Sequence, residues 1–157
     1  MRETSSPAPC RACRGPPQAR TSIGAAWRER RSRTHNDNEA VIRAFIAAWS
    51  RLDVEELVGF FCEDGVYHNM PTRPVAGHAA LRAFIGGFIG PWTSTEWDVL
   101  NIVSRGDLVI AERLDRTRVG DKPVDLPCCG VFEMEGGRIK VWRDYFDMGT
   151  YVSALTA

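Results

Sequence analysis

The chain has 157 residues, enough for one domain with a substantial core but too few for two. Its apolar fraction of 44% is that of an ordinary globular protein, and no apolar run approaches the roughly 20 residues that a membrane-spanning helix needs. The formal net charge of zero hides an asymmetry, because residues 1–34 carry eight Arg against two Glu whereas residues 35–157 carry 12 basic and 18 acidic side chains, an acidic balance that argues against nucleic-acid binding.

The first 34 residues are predicted to form a disordered basic extension. They are rich in Pro, Arg, Ser and Ala, show no sustained apolar period and lack the apolar segment of a secretory signal. Their Arg content is similar to that of a mitochondrial transit peptide, but a disordered extension from an upstream start codon is the simpler interpretation. Cys10 and Cys13 have the spacing of metal ligands, yet no second pair completes a zinc site, so no metal is predicted. The five cysteines are expected to be reduced thiols in a cytoplasmic protein.

A folded domain over residues 35–157 is predicted to begin with two helices. Asn36 and Glu39 fit a capping box, and apolar residues then recur at helical spacing, which predicts a helix over residues 37–51. Asp53 repeats the capping signal for a short second helix that ends near Phe61. The same period predicts a third helix over residues 77–89.

Strands account for the rest of the domain. A short strand over residues 66–70 is expected after a turn at Glu63–Gly65. Four longer strands follow, and the Gly-containing turns between them favour an antiparallel meander. Their predicted ranges are 95–104, 107–118, 122–134 and 138–147, and a last helical turn is expected within residues 148–157. This order predicts an α+β fold in which three helices cover the concave face of a curved, mixed or antiparallel sheet, leaving an apolar pocket inside a cone.

The last strand carries an unusual carboxylate. Strand alternation puts Trp142, Asp144 and Phe146 on one face. Asp144 is therefore held between two large aromatic side chains. A carboxylate in an apolar wall costs free energy unless it is paired or hydrogen-bonded, so it indicates either a polar network or proton chemistry.

Two other strands supply candidate partners for Asp144. Tyr67 and Asn69 share a face of one strand, and Arg113 and Asp115 share a face of another. If the three sets converge, the arginine lies between two carboxylates that can act as proton donor and proton acceptor, and Tyr67 and Asn69 can hold a water molecule. The same residues also fit a buried ion network with no catalytic role.

Motifs of other enzyme classes are missing from the sequence. There is no Gly-x-Ser-x-Gly elbow, no phosphate-binding loop and no dinucleotide-binding glycine pattern. His68 and His78 have no partner at metal-ligand spacing. A serine hydrolase or a nucleotide-dependent enzyme is therefore disfavoured.

At these motifs the sequence resembles the limonene-1,2-epoxide hydrolase family. The resemblance lies in residues 61–71, 112–115, 130–132 and 142–147, in the same order, and spans about residues 37–150. It implies the cone-shaped fold of the nuclear transport factor 2-like proteins. It also implies a homodimer that needs no metal and no organic cofactor.

The resemblance implies one-step hydrolysis of an epoxide to a vicinal diol, with inversion at the attacked carbon. Asp144 would be the general base for a water held by Tyr67 and Asn69. Asp115 would be the general acid that protonates the epoxide oxygen, and Arg113 would bridge the two carboxylates.

The resemblance also implies an apolar substrate wall. Its expected members are Trp49, Ile85, Phe88, Trp92, Leu126, Cys128 and Phe146. Trp49, Phe88 and Trp92 are bulkier than the family's usual aliphatic lining and Cys128 is smaller, which argues against limonene itself as the substrate. The expected substrate is an apolar epoxide, either cyclic and terpene-like or lipid-like. The alternatives are an isomerase or cyclase resembling ketosteroid isomerase or the polyketide cyclases, and a non-catalytic binding module. An arginine held between two aspartates argues against the isomerase and cyclase, and carboxylates on opposite faces of the sheet would indicate the binding module.

Overall fold

Helices and strands alternate along residues 38–157, the part of the chain that the computed structural model describes. The elements are α1 (residues 38–48), α2 (Val54–Gly59), β1 (Phe61–Asn69), β2 (Val75–Ala76), α3 (His78–Ile89), β3 (Trp92–Arg105), β4 (Leu108–Val119), β5 (Lys122–Glu135), β6 (Arg138–Phe146) and α4 (Met148–Thr156). The predicted basic extension, Cys10, Cys13 and Asn36 lie outside the described residues.

The three predicted helices are confirmed. α1 passes into a 3-10 turn at Trp49–Arg51, which ends at Leu52 in the left-handed conformation. Asp53 then caps α2, since its carboxylate accepts hydrogen bonds from the backbone N–H groups of Glu55 and Glu56 at 2.9 and 3.1 Å. No helix among residues 38–157 has both the length and the apolar character needed to cross a membrane.

One six-stranded sheet carries the fold, in the order β2-β1-β6-β5-β4-β3. β3 to β6 form the predicted antiparallel meander. The turns between these strands contain Gly106, Gly120, Gly136 and Gly137 in the positive-φ conformation. β1 adds to β6 in parallel, so a strand from early in the domain lies beside the last strand.

The first strand is longer than predicted. β1 begins at Phe61, and Glu63–Gly65 lies inside it as an irregular stretch where the register with β6 shifts, so the predicted turn is wrong. The close approach of the backbone explains the glycine, because a Cβ at Gly65 would lie 2.9 Å from the Cys62 carbonyl oxygen. Cys62, in the same stretch, is half-buried.

The carboxyl-terminal tail forms a full helix where a last turn was expected. Asp147, assigned to the end of the preceding strand, instead caps α4 by accepting hydrogen bonds from the N–H groups of Gly149 and Thr150, both at 3.0 Å. Lys122 donates a hydrogen bond at 2.6 Å to the Leu155 carbonyl near the other end. The fold therefore has four helices in its described part, not three.

The main core lies between the helices and one face of the sheet. Phe45 of α1 is fully buried and makes edge contacts with five aromatic rings, with centroid distances from 5.1 to 6.1 Å. A smaller apolar cluster forms where α4 packs against Val124, Leu126 and Cys128 of β5. The candidate site lies on the same face of the sheet, between these two clusters.

Candidate active site

Three strands bring the five predicted polar residues together. β1 carries Tyr67 and Asn69, β4 carries Arg113 and Asp115, and β6 carries Asp144. All five are buried, and the two carboxylates lie on the same side of the sheet. Asn69 is the direct neighbour of Asp144 in the β1–β6 pair. The convergence that alternation left open is thus present in the structure.

The guanidinium of Arg113 joins the two carboxylates. Nε and Nη2 donate to the two oxygens of Asp115, both at 3.0 Å, in a bidentate arrangement. Nη2 also donates to the two oxygens of Asp144, at 3.1 and 3.0 Å. Nη1 is buried and has no hydrogen-bond partner among residues 38–157. Asp115 and Asp144 are therefore held differently, one by two nitrogens and the other by one.

Aromatic rings hold the arginine in place. Its guanidinium carbon lies 4.6 Å from the ring centroid of Trp97 and 5.7 Å from that of Trp142. Trp97 stacks on Trp49 at 4.4 Å, and Trp142 stacks on Tyr67 at 4.0 Å. The cation is completely buried, so its charge depends on the two carboxylates for compensation.

Burial sets the proton affinities of the site. It raises the pKa of Asp144 to about 6, while the charge of Arg113 opposes this rise and that of Asp115 adds to it. Burial also raises the pKa of the Tyr67 phenol well above its usual value, so the hydroxyl keeps its proton. For Arg113, burial lowers the pKa, but the two carboxylates outweigh it and the net shift is upward.

One buried acceptor in the site is unused. Oδ1 of Asn69 has no hydrogen-bond partner in the described part of the chain. A buried amide oxygen without a donor costs roughly 1–3 kcal/mol. A water molecule or a ligand hydroxyl that donates to this oxygen would remove that cost.

The polar group faces a narrow, largely apolar cavity. Of the predicted wall residues, five line it: Phe88, Trp92, Leu126, Cys128 and Phe146. Trp49 and Ile85 do not line the cavity, because they are fully buried in the core behind it. Trp49 and Ile85 are therefore absent from the lining of this cavity, although the family resemblance implied both as wall residues.

Four lining residues were missed: Trp97, Thr117, Val124 and Tyr151. Strand alternation would have found two of them, since Thr117 shares the face of Asp115 and Val124 shares that of Leu126 and Cys128. Tyr151 lies on α4, whose extent was not predicted. Its ring stacks on Phe88 of α3 with a centroid distance of 6.2 Å, so α3 and α4 meet across the cavity.

A cation would have to compete with the arginine in this site. Asp115, Cys128 and Asp144 offer three candidate ligand atoms within 4.8 Å of one another. All four carboxylate oxygens already accept from Arg113, however, and burial raises the pKa of the Cys128 thiol far above its usual value. These residues form a poor metal site while the guanidinium is in place.

The family model of the limonene-1,2-epoxide hydrolase catalytic domain matches residues 36–157. Epoxide hydrolase EphG of Mycobacterium tuberculosis is 33% identical over 110 residues, which cover 68% of this chain and 71% of that protein. The structure of a LEH-like epoxide hydrolase from M. tuberculosis matches with a TM-score of 0.68 and 28% identity, covering 78% of this chain and 91% of that one.

A protein from Catenulispora acidiphila with a ketosteroid isomerase-like fold matches with a TM-score of 0.67. It is only 17% identical, over 73% of this chain and 90% of that one, so it shows the fold alone. The predicted α+β class, with helices on a curved sheet of the nuclear transport factor 2-like type, is confirmed.

Proposed function

This chain belongs to the limonene-1,2-epoxide hydrolase family, and from that premise we propose that it adds water to an apolar epoxide in one step and releases a vicinal diol. The reaction needs no metal and no organic cofactor. The observation that carries the proposal is the buried bridge from Arg113 to Asp115 and Asp144 beside an apolar cavity.

Asp144 is the general base. Its neighbour Asn69 has a free carbonyl oxygen that accepts one hydrogen of the attacking water, and the Tyr67 hydroxyl is the second group that holds it. The other hydrogen points to Asp144, which takes it as the oxygen attacks the epoxide carbon. A carboxylate whose pKa is about 6 is a stronger base than an ordinary aspartate and is still ionised at neutral pH.

Asp115 is the general acid. It protonates the epoxide oxygen while the carbon–oxygen bond breaks, so no free alkoxide forms. At the end of the reaction Asp144 carries the proton that Asp115 has lost, and transfer through water in the cavity restores the starting state. Arg113 compensates the remaining negative charge throughout, since it contacts both carboxylates.

The cavity wall supports an apolar substrate with a ring or a chain. Phe88, Trp92, Trp97 and Phe146 supply aromatic surface, and Tyr151 supplies more from α4. Such walls favour cyclic terpene-like or lipid-like epoxides over small polar ones. Besides the proposed catalytic groups, Thr117 and Tyr151 are the lining residues that carry a hydroxyl group.

An isomerase is the second candidate. A protonated Tyr67 near a carboxyl group whose pKa is about 6 is also the donor and base that moving a proton next to a carbonyl requires. The bridge from Arg113 to both carboxylates favours the hydrolase, because moving a proton next to a carbonyl does not require a guanidinium between two aspartates.

We also propose that the protein is a homodimer in the cytoplasm. On the outer face of the sheet, Leu100 and Tyr145 are 56% and 44% exposed and share a shallow groove with Leu114 and Pro127. An apolar patch of this kind favours a second copy as its partner. Leu100→Glu should then give a monomer in light scattering after size exclusion, and an unchanged mass would contradict this interface.

The three described cysteines are free thiols, which supports a reducing compartment.

Single-turnover hydrolysis in heavy-oxygen water tests the reaction. Enzyme in excess over limonene-like, styrene-like and fatty epoxides should incorporate the label into the diol within the first turnover. An enzyme that uses a carboxylate nucleophile would instead insert an unlabelled oxygen from its own side chain. Absence of any diol, together with proton exchange next to the carbonyl of a steroid ketone, would favour the isomerase.

A further inference from the structure

We propose that Gly130 is a positioning residue for the catalytic bridge, because the missing side chain at this point of β5 leaves the space through which Arg113 reaches Asp144. The inference rests on the proposed hydrolysis for its kinetic consequences. Its structural part, the placement of the guanidinium, can be tested without any turnover.

Gly130 lies directly under the path of the arginine. In the sheet it pairs with Ala111 of β4 on one side and with Asp144 of β6 on the other. Arg113 starts on β4 and hydrogen-bonds to Asp144 two strands away, so its side chain must cross β5. A Cβ atom built on Gly130 would lie only 2.6 Å from Nη1 of Arg113. Any side chain at this position would therefore occupy the space that the guanidinium fills.

The guanidinium has little room to move aside. The rings of Trp97 and Trp142 lie on it at 4.6 and 5.7 Å. The same hypothetical Cβ would lie 2.7 and 2.8 Å from two ring atoms of Phe132, which is itself fully buried. The methyl group of an alanine at this position would thus clash with both the Arg113 guanidinium and the Phe132 ring. Because both groups are closely packed, neither can move away without displacing its neighbours.

Backbone conformation does not explain the glycine. Gly130 lies inside β5 and is not among the glycines with positive φ. Glycine inside a strand weakens the strand, and its presence indicates a close approach by another group. At Gly130 that group is the catalytic arginine, so the requirement for glycine is steric.

Displacement of the guanidinium would weaken its hydrogen bonds to Asp144 more than those to Asp115. Asp115 is on the same strand as Arg113 and is held by two nitrogens, whereas Asp144 is held by Nη2 alone. The titratable groups that act on Asp144 are Arg113 and Asp115 of β4, Cys128 and Cys129 of β5, and Tyr67 of β1. The arginine is the sole cation in that set, so its withdrawal should raise the proton affinity of Asp144.

The test compares Gly130→Ala with wild type in the full chain. Gly87→Ala is the matched control, because a Cβ at Gly87 would meet no heavy atom of the described residues within 4 Å apart from its chain neighbours and its own helix backbone. The first readout is a carbon-13 titration of the aspartate carboxyl groups, with the Asp144 signal assigned from Asp144→Asn. The second is the pH profile of kcat/KM. The expected result for Gly130→Ala is a carboxyl titration displaced upward by about one pH unit or more, an equal shift of the acid limb and a loss of about 100-fold in kcat.

A double variant separates the two clashes. Phe132→Leu removes the ring atoms nearest to Gly130 but leaves the contact with Arg113. Gly130→Ala combined with Phe132→Leu should therefore keep the displaced titration, relative to Phe132→Leu alone. Recovery of the wild-type titration in the double variant would overturn the inference, since the effect would then come from the phenylalanine.

The remaining outcomes of the experiment also test the inference about Gly130. An unchanged Asp144 titration in folded Gly130→Ala would overturn the inference, and unfolding of both the single and the double variant would assign Gly130 a purely structural role. If wild type hydrolyses no epoxide, the proposed function fails, while the carboxyl titration still tests whether Gly130 positions the arginine.

Discussion

Asn69 and Asp144 are direct neighbours across the parallel strands β1 and β6, and both are almost completely buried. The backbone N–H of Met70 donates to the Asp144 carbonyl at 3.0 Å, which holds the two strands in this register. The free Oδ1 of Asn69 and an ionised Asp144 are both acceptors. Water, with two hydrogens, can satisfy both, and this pairing underlies the predictions that concern Asp144.

Asp144→Asn is expected to lower kcat by at least about 1,000-fold, because the amide preserves the shape of the base but cannot take a proton. Heavy-oxygen incorporation in a single turnover measures this loss. Asp98→Asn, at an exposed position on β3, is the matched control and should keep wild-type turnover. Substantial labelled diol from Asp144→Asn would contradict the assignment of the base.

The activity should rise with pH through the titration of Asp144. Since the base works only when ionised and burial raises its pKa to about 6, kcat/KM should increase from pH 5 to pH 7 with a midpoint near 6. An acid limb near pH 4, typical of an exposed aspartate, would show that the carboxylate is not held as described.

Stability should respond to pH in the opposite sense. The folded state binds the Asp144 proton more tightly than the unfolded chain, so the contribution of this group is complete below about pH 4 and is lost as pH rises through 6. A rise of about two pKa units corresponds to about 3 kcal/mol in the free energy of unfolding. Urea denaturation of wild type and Asp144→Asn between pH 4.5 and 7.5 measures it. The difference between the two proteins should change with pH in favour of the asparagine variant, and a constant difference would refute the linkage.

Removal of the bridge should damage both activity and fold. Arg113→Met keeps much of the side-chain volume but leaves two buried carboxylates without a cation, which is expected to cost about 3–5 kcal/mol of stability. It should also move the acid limb of kcat/KM upward. Thermal denaturation and the pH profile measure the two effects. Arg43→Met on the exposed surface of α1 is the control, because surface ion pairs contribute at most about 1 kcal/mol.

Tyr151 should control access for large substrates. It reaches from α4 to Phe88 of α3 across the cavity, so Tyr151→Ala widens the wall without touching the catalytic groups. The expected result is a change in the relative kcat/KM of bulky and small epoxides, with little change in the pH profile. Val152→Ala, at a half-exposed neighbour on the same helix, should leave the preference unaltered. Equal effects of both variants would mean that α4 acts through stability alone.

Local patterns predicted most of the elements and one face of each catalytic strand. Period-two alternation put Trp142, Asp144 and Phe146 on the face that the structure shows facing the core and cavity. Convergence of that face with Arg113 and Asn69 depends on strand order, which the alternation does not contain. The family resemblance implied this convergence, and the register of β1 on β6 explains it physically.

The errors have local causes. Glu63–Gly65 has the composition of a turn, but pairing with β6 keeps it in a strand and Gly65 serves a close backbone contact. α4 was shortened because Asp147 fits both the end of a strand and the cap of a helix. The family resemblance implied Trp49 as a wall residue, but Trp97 stacks on Trp49 and lines the cavity instead.

The parallel pairing of β1 with β6 makes the site depend on both ends of the domain. Asn69 and Asp144 are 75 residues apart in the chain, and contacts of such long range are slow to form because a large loop must close first. During synthesis β1 emerges from the ribosome before β6, so the edge of β1 that pairs with β6 stays unpaired until the last strand has been made. The protein should therefore acquire its acid–base chemistry only at the final step of folding, and a chain that stops before β6 would retain Arg113 and Asp115 without the base they serve.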